Sequence, residues 1–254
     1  MHISIAVSVI VATMLVSLRL APLFLFAPVF GSISLPGHFR VFFILALSFL
    51  LVAALKLDAG AVPTDTAGLT RAVVSELIIG AAIATGVMIG FAAFAFAGRL
   101  LDLQIGFGVA SLIDFNTRNS MPLIGTALSM MAVMMFYLAD GHHMLIRGIA
   151  YSFERLPLAG GINGLNVGFL ISFAGSLFSF GLILAAPVAL ILFLIDVGMA
   201  VMSRTMPQMN VFMLGISVKV FIGVILLAIS VRYMGAIASK VFQAIFGFLE
   251  QVVS

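Results

Sequence analysis

The chain has 254 residues, of which 63% are hydrophobic and only 8% charged, and its mean hydropathy is +1.32. A soluble domain carries about a quarter charged residues, so this composition cannot cover a water-facing surface and the chain reads as an integral membrane protein. The absence of cysteine excludes a disulfide framework and thiolate metal sites, while the net charge of +3 comes from scattered basic residues, which excludes the basic runs of a nucleic-acid binder.

The N-terminus, Met1-His2-Ile3-Ser4, has no Lys or Arg ahead of the apolar run. A cleaved signal peptide is therefore not expected, and the first apolar segment is read as retained. Residues 3–20 form the first predicted helix, which contains Arg19. Pro22, Pro28, Gly31, Pro36 and Gly37 then interrupt the pattern before a second helix over 40–55. Backbone freed by such breaks cannot face lipid unpaired, so this region must be buried against protein or lie near an interface. The distance between charges then sets the ruler, because a spanning helix needs about 20 apolar residues. Between Glu76 and Arg99 lie 22 uncharged residues and between Arg118 and Asp140 lie 21, which predicts helices over 72–98 and 120–146. From Leu156 to Ile195 no charge appears for 40 residues. Pro157, Gly160, Gly161 and Gly164 mark a loop there, followed by one long helix over 167–200 in which Pro187 is a possible kink. The last strong span covers 211–232, and 235–252 reads as an interfacial or docking helix. The expectation is an all-α membrane chain of about six hydrophobic helices, broken in its N-terminal third, and a C-terminal tail helix, in one domain over 1–254. The longest polar stretch, Lys56 to Arg71, is too short for a catalytic aqueous domain. Basic residues divide six (Lys56, Arg71, Arg147, Arg155, Arg232, Lys240) to four (Arg40, Arg99, Arg118, Arg204), a bias too small for the positive-inside rule to assign an orientation.

Intramembrane charges mark either functional pathways or internal pairs. Helical spacing predicts pairing of Arg99 with Asp102, Asp114 with Arg118 and Asp140 with Arg147. Asp196, Arg204 and Lys219 lack a near neighbour of opposite sign and bracket the turn between the last two long segments, which predicts a non-local cluster or contacts to another subunit. Asp140-Gly141-His142-His143 invites a metal reading, but adjacent histidines on a helix point about 100° apart and no H-E-x-x-H spacing is present, so no metal or other cofactor is expected. Nor does any Walker loop or G-x-S-x-G suggest an enzyme. Gly86-Val87-Met88-Ile89-Gly90 allows close helix approach. Met199, Met202, Met206, Met209 and Met213 step by three and four, and Met130, Met131, Met134 and Met135 form a second group. Core filling is the expectation for each, with a compliant seal around a channel as the sharper alternative.

The segment from Gly98 to Gly125 mixes charges, amides and glycines inside apolar surroundings. Such backbone survives at membrane depth only where protein buries it or water reaches it, as in a loop lining a pore; an ordinary exposed loop is the plain alternative. Gln104-x-Gly106-Phe107, Asp114, Asn119-x-x-Pro122, Gly141-His142-His143, Ser152-Phe153 and Leu156-Pro157 stand in this chain together with Arg204-x-x-Pro207-Gln208-x-Asn210-x-Phe212-x-x-Gly215-x-x-x-Lys219. In these residues, and in Arg19, Pro28, Pro36 and Arg40, the chain resembles the FliR family of flagellar export-gate proteins, which is related to the SctT (SpaR) component of virulence type III secretion. The Arg204 to Lys219 block is the most specific part.

The resemblance implies a subunit of a helical export gate with FliP and FliQ, its broken or tilted hydrophobic helices forming hairpins in a multi-subunit assembly, in the bacterial inner membrane at the flagellar basal body. It also implies contacts with FlhB and FlhA, and passage of unfolded flagellar proteins. It places a pore or gate loop at Gln104, Gly106, Phe107, Gly108, Asp114, Asn116, Asn119, Met121 and Pro122, and family-motif and hairpin contacts at Gly141, His142, Arg204, Pro207, Gln208, Asn210, Phe212, Gly215 and Lys219. The chain departs from the family pattern at Phe115, where many relatives have proline, and at Asp102, where a small or neutral residue is expected. The competing expectation is an ion-coupled small-solute transporter with Asp114, Asp140 or Asp196 as its coupling site.

Overall fold

The structure is a computed structural model describing residues 2–31, 36–57, 63, 65–107, 122–162, 165–206, 208 and 211–252. Among the described residues there are eight helices and no strand: α1 (His2–Phe26), α2 (Pro28–Gly31), α3 (Gly37–Ala54), α4 (Thr66–Ile105), α5 (Leu123–Leu138), α6 (Gly141–Arg155), α7 (Val167–Thr205) and α8 (Val211–Val252). Within α1, α3, α4, α7 and α8 lie segments long and apolar enough to cross a membrane. The chain is an all-α integral membrane protein.

Helix starts follow local chemistry. Asp65 Oδ2 accepts the Gly68 amide at 2.8 Å ahead of α4, and Asn166 Oδ1 accepts the Phe169 amide at 3.0 Å ahead of α7; each satisfies a donor that the first helical turn leaves free. Several boundaries differ from the sequence reading, and α4 runs over 66–105 rather than 72–98. Helix α1 runs through Pro22 to Phe26 rather than ending at residue 20. The predicted helix over 120–146 is two helices, because Asp140 adopts a left-handed conformation (φ +55°) between α5 and α6. Residues 211–252 form one helix with no break near Gly235. Met234, Ala238, Val241, Ile245, Phe248 and Val252 are buried at alternating steps of four and three, and this continuous apolar stripe outweighs the modest helix penalty of glycine.

The chain forms two compact units. The first comprises Met1–Gly90, Asp140–Ala174 and Phe242–Ser254. Its buried residues include Leu15, Leu20 and Leu23 of α1, Ile79 and Ile83 of α4, Leu145 and Ile149 of α6, and Ile245 and Phe248 of α8. Gly86 leaves the space that the Phe248 ring fills, and this ring also stacks on Phe173 at 4.6 Å between centroids. The last turns of α8 therefore dock into this unit's core. The G-x-x-x-G glycine admits an aromatic ring here rather than a second backbone.

An ion pair lies at the centre of this unit. Arg19 on α1 grips Glu76 on α4 through Nε at 2.5 Å and Nη2 at 3.0 Å. Its Nη1 donates to the Ser152 carbonyl and hydroxyl oxygens, both at 3.1 Å, and Nη2 also donates to the Leu156 carbonyl at 3.1 Å. All five guanidinium donors are thus used. The Ala159 amide donates to Glu76 Oε1 at 3.1 Å, and the Phe153 ring covers the guanidinium at 4.0 Å. The two charged side chains are 0% and 1% exposed. One turn beyond Glu76, a Cβ on Gly80 would fall onto the Arg19 carbonyl, so α1 and α4 meet backbone to backbone.

The second unit comprises Phe91–Ala139 and Gly175–Val241. Phe94, Ala97, Leu101 and Ile105 of α4 are buried in it, as are Leu128, Ala132 and Phe136 of α5. Gly98 and Gly125 bring these two helices into backbone contact, and Phe96 of α4 meets Phe178 of α7 edge to face at 5.3 Å.

Removing either charge of the Arg19–Glu76 pair strands its partner, at a cost of about 3–5 kcal/mol. Arg19→Met and Glu76→Gln should each strongly lower the Tm of the detergent-purified chain, and the double Arg19→Met, Glu76→Met variant should be less impaired than Arg19→Met alone. Gly80→Ala should cost about 1–3 kcal/mol by overpacking in the same assay, whereas Gly247→Ala, whose new methyl meets nothing within 4 Å, should be neutral or slightly stabilising.

Candidate functional site

Helix α4 ends in the glycine- and amide-rich segment. Gly106 turns the chain at φ +102°, a region that glycine enters without strain, and its amide donates to the Asp102 carbonyl at 3.2 Å. Gln104 lies on the last turn of α4 with its Oε1 buried and unbonded among the described residues. Phe107, Ile105, Leu123, Ile124, Ala127, Val224 and Leu227 line an apolar cavity of about 210 Å³. Pro122 stands at the N-cap of α5. Four of the nine predicted loop residues, Gln104, Gly106, Phe107 and Pro122, thus flank one place in the second unit. The other five, Gly108, Asp114, Asn116, Asn119 and Met121, lie outside the described residues, as does the expected Asp114–Arg118 pair.

The predicted Arg99–Asp102 pair is not what the structure contains. Arg99 is exposed and Asp102 is buried. Asp102 Oδ1 accepts the Ile124 amide and Oδ2 the Gly125 amide, each at 3.0 Å. Pro122 has no side-chain acceptor of its own, and Asp102 supplies from α4 what an ordinary N-cap residue would supply from within α5. Its negative charge also faces the positive end of the α5 dipole. Spacing of three residues on one helix suggested a local partner; the partner used is 22 residues further on.

In the Arg204 to Lys219 block, Arg204 is exposed on the last turn of α7 and Gln208 is exposed in the turn that follows. Pro207 and Asn210 lie outside the described residues, and so does the side chain of Phe212. Gly215 is buried, facing the thioether methyl of Met199. Lys219 pairs with Asp196, joining α7 to α8, which answers the expectation of a non-local partner for both residues. The methionines do not follow the core-filling expectation throughout: Met130, Met134, Met202, Met206 and Met213 are exposed, and Met209 lies outside the described residues.

The Asp140 region also differs from the sequence reading. Asp140 does not pair with Arg147; its carboxylate lies 3.4 Å from His143 Nδ1, where both side chains are largely exposed. The His142 and His143 rings lie 4.1 Å apart rather than diverging, and one ligand-capable atom from each of Asp140, His142 and His143 falls within 4.8 Å of the others. The left-handed Asp140 folds its carboxylate back over the first turn of α6, which local helical spacing does not foresee. Gly141, the first residue of α6, is buried. Sequence reasoning missed the Arg19–Glu76 centre altogether. An Arg and a Glu each inside an apolar run were the available signal, but they stand 57 positions apart.

Asp196 is close to half exposed, which limits what its pair with Lys219 contributes. A double-mutant cycle of Asp196→Asn and Lys219→Met, read by thermal unfolding in detergent, should give a coupling of about 1 kcal/mol or less.

The family described as "Bacterial export proteins, family 1" matches residues 10–245. The chain is 27% identical over 238 residues to the flagellar biosynthetic protein FliR of Escherichia coli (strain K12), covering 93% of this chain and 90% of that protein. It is 28% identical to the protein of the same name in Bacillus subtilis (strain 168), covering 91% and 90%, and 30% identical to that of Aquifex aeolicus (strain VF5), covering 91% and 89%. The match includes the Arg19–Glu76 centre, the end of α4 and the Arg204 to Lys219 block, and the chain belongs to this family of bacterial export proteins, the family of FliR.

Proposed function

We propose that the chain is a non-enzymatic channel subunit of the flagellar type III protein export gate, assembling with FliP and FliQ to form the pore through which unfolded flagellar subunits leave the cell. Contacts with FlhB and FlhA, and a place in the inner membrane at the flagellar basal body, belong to the same reading. The observation that carries it is the family match over residues 10–245, on a chain whose relatives are named for flagellar biosynthesis. The long helices support it by keeping large apolar side chains exposed, among them Phe178, Leu190, Phe193 and Val201 on α7 and Phe221, Val224 and Ile229 on α8. Such faces suit lipid or neighbouring subunits. The stretch from Phe107 to Pro122 is assigned the gate, with Gln104, Gly106, Phe107 and Pro122 at its base and the exposed methionines as compliant contacts.

A solute-transporter reading has less behind it. Of its three coupling candidates, Asp196 is engaged by Lys219 and Asp140 lies exposed at a helix start. Affinity purification of the full chain from its own cells should recover FliP-like and FliQ-like subunits in a defined complex; recovery of the chain alone would overturn the assembly reading. Deleting residues 114–119 should raise ion leakage across the membrane and impair filament growth. Unchanged leakage with normal filaments would remove the segment from the gate.

A further inference from the structure

We propose that Asp102 is the positioning residue that sets where the chain re-enters helix α5, and so holds the end of α4 and the start of α5 at one spacing. Its functional arm rests on the gate reading above, because these two helix ends are the attachment points of the stretch assigned to the gate.

Three observations converge on this residue. First, α5 begins on Pro122, which offers no side-chain acceptor to the first helical turn, and the two amides that a cap would serve, those of Ile124 and Gly125, both end on Asp102 at 3.0 Å. Second, Asp102 is only 4% exposed, and among the described residues no basic side chain pairs with it. A buried carboxylate is costly unless its charge is met, and here the α5 amides and dipole meet it, so its burial depends on α5 staying in place. Third, Gly98, one turn before Asp102, touches the backbone of Gly125, where a Cβ would overlap the Gly125 Cα. The contact thus has two points, a steric stop at Gly98 against Gly125 and an electrostatic hold at Asp102. The hold requires two acceptor oxygens on one side chain. Asparagine keeps the size but presents an NH₂ to one of the two amides; glutamate keeps both oxygens on a longer stem.

The chain has no cysteine, so a pair of introduced cysteines can be labelled selectively. Leu103 and Leu123 are 73% and 64% exposed, one on each side of the contact. Nitroxide labels at Leu103→Cys and Leu123→Cys, read by pulsed electron resonance on the full chain diluted with unlabelled chain, report the spacing directly. With Asp102 in place the expected result is one narrow distance; Asp102→Asn should lose it to a broad distribution, and Asp102→Glu should recover most of it. Ion leakage through cells carrying the same variants should rise with Asn and return toward wild type with Glu. An unchanged narrow distance in Asp102→Asn overturns the proposal. A broadened distance with unchanged leakage upholds the positioning role and overturns the gate reading on which the functional arm rests. Should Asp102→Asn not accumulate, Asp102→Ser, which leaves a single acceptor oxygen on a shorter stem, is read in the same way and should also broaden the distance; an unchanged distribution there overturns the proposal.

Discussion

A guanidinium buried in an apolar protein must have every N–H donor accepted, since water cannot reach the ones left over. Arg19 meets this condition with acceptors from α4, α6 and the turn after α6, and Glu76 passes the link on to the Ala159 amide. The first unit can therefore close in only one way. If α1 rotates, the fork leaves Glu76; if α6 slides by a turn, the Ser152 and Leu156 carbonyls leave the fork. Apolar packing around Leu15, Ile79 and Leu145 tolerates small shifts of register, but the polar centre does not. The pair thus ties α1, α4 and α6 to one register, and Gly80 sits where a larger residue would push α1 away from it.

The second unit obeys a related constraint with a different partner. Asp102 has backbone amides where Arg19 has a carboxylate, and the glycine contact at Gly98 and Gly125 does for α4 and α5 what Gly80 does for α1 and α4. In both units a buried charge stands one turn from a backbone contact made possible by glycine. Close approach shortens the reach that the polar side chain must span, and the polar bond keeps the approach from opening. The Lys219–Asp196 pair is looser, joining two helices at a site that is still partly open.

What could be read from the sequence were the features set by near neighbours along the chain. Charge-to-charge distances located the long apolar segments, and the Gly-Pro cluster after Leu156 located the turn before α7. The family motifs around Gln104 and Lys219 located the export family. What could not be read depended on residues far apart or on one dihedral angle. Arg19 and Glu76 meet only because α1 folds onto α4. Asp102 was matched to Arg99 because spacing on one helix is visible, whereas a proline-headed helix in need of an acceptor 22 residues on is not. Asp140 splits a predicted span by adopting a left-handed conformation that asparagine and aspartate tolerate, and composition cannot distinguish that from one more polar residue at a helix end. Gly235 misled in the opposite sense, since a glycine inside a long apolar stripe need not end a helix.

Helices α4, α7 and α8 contain 40, 39 and 42 residues. At 1.5 Å per residue each is about 60 Å long, twice the hydrocarbon thickness of a bilayer, about 30 Å. To lie wholly within that layer, a straight rod of this length would have to lean by about 60°, beyond the range of roughly 0–40° seen for spanning helices. Lipid tails therefore cannot cover all three along their whole length. The charge-free run of α7 from Val167 to Ile195 alone is about 44 Å long, so part of its apolar side wall must be sealed by something other than lipid tails. A helix of about 20 residues already spans the hydrocarbon layer, so a stretch of each rod extends beyond it.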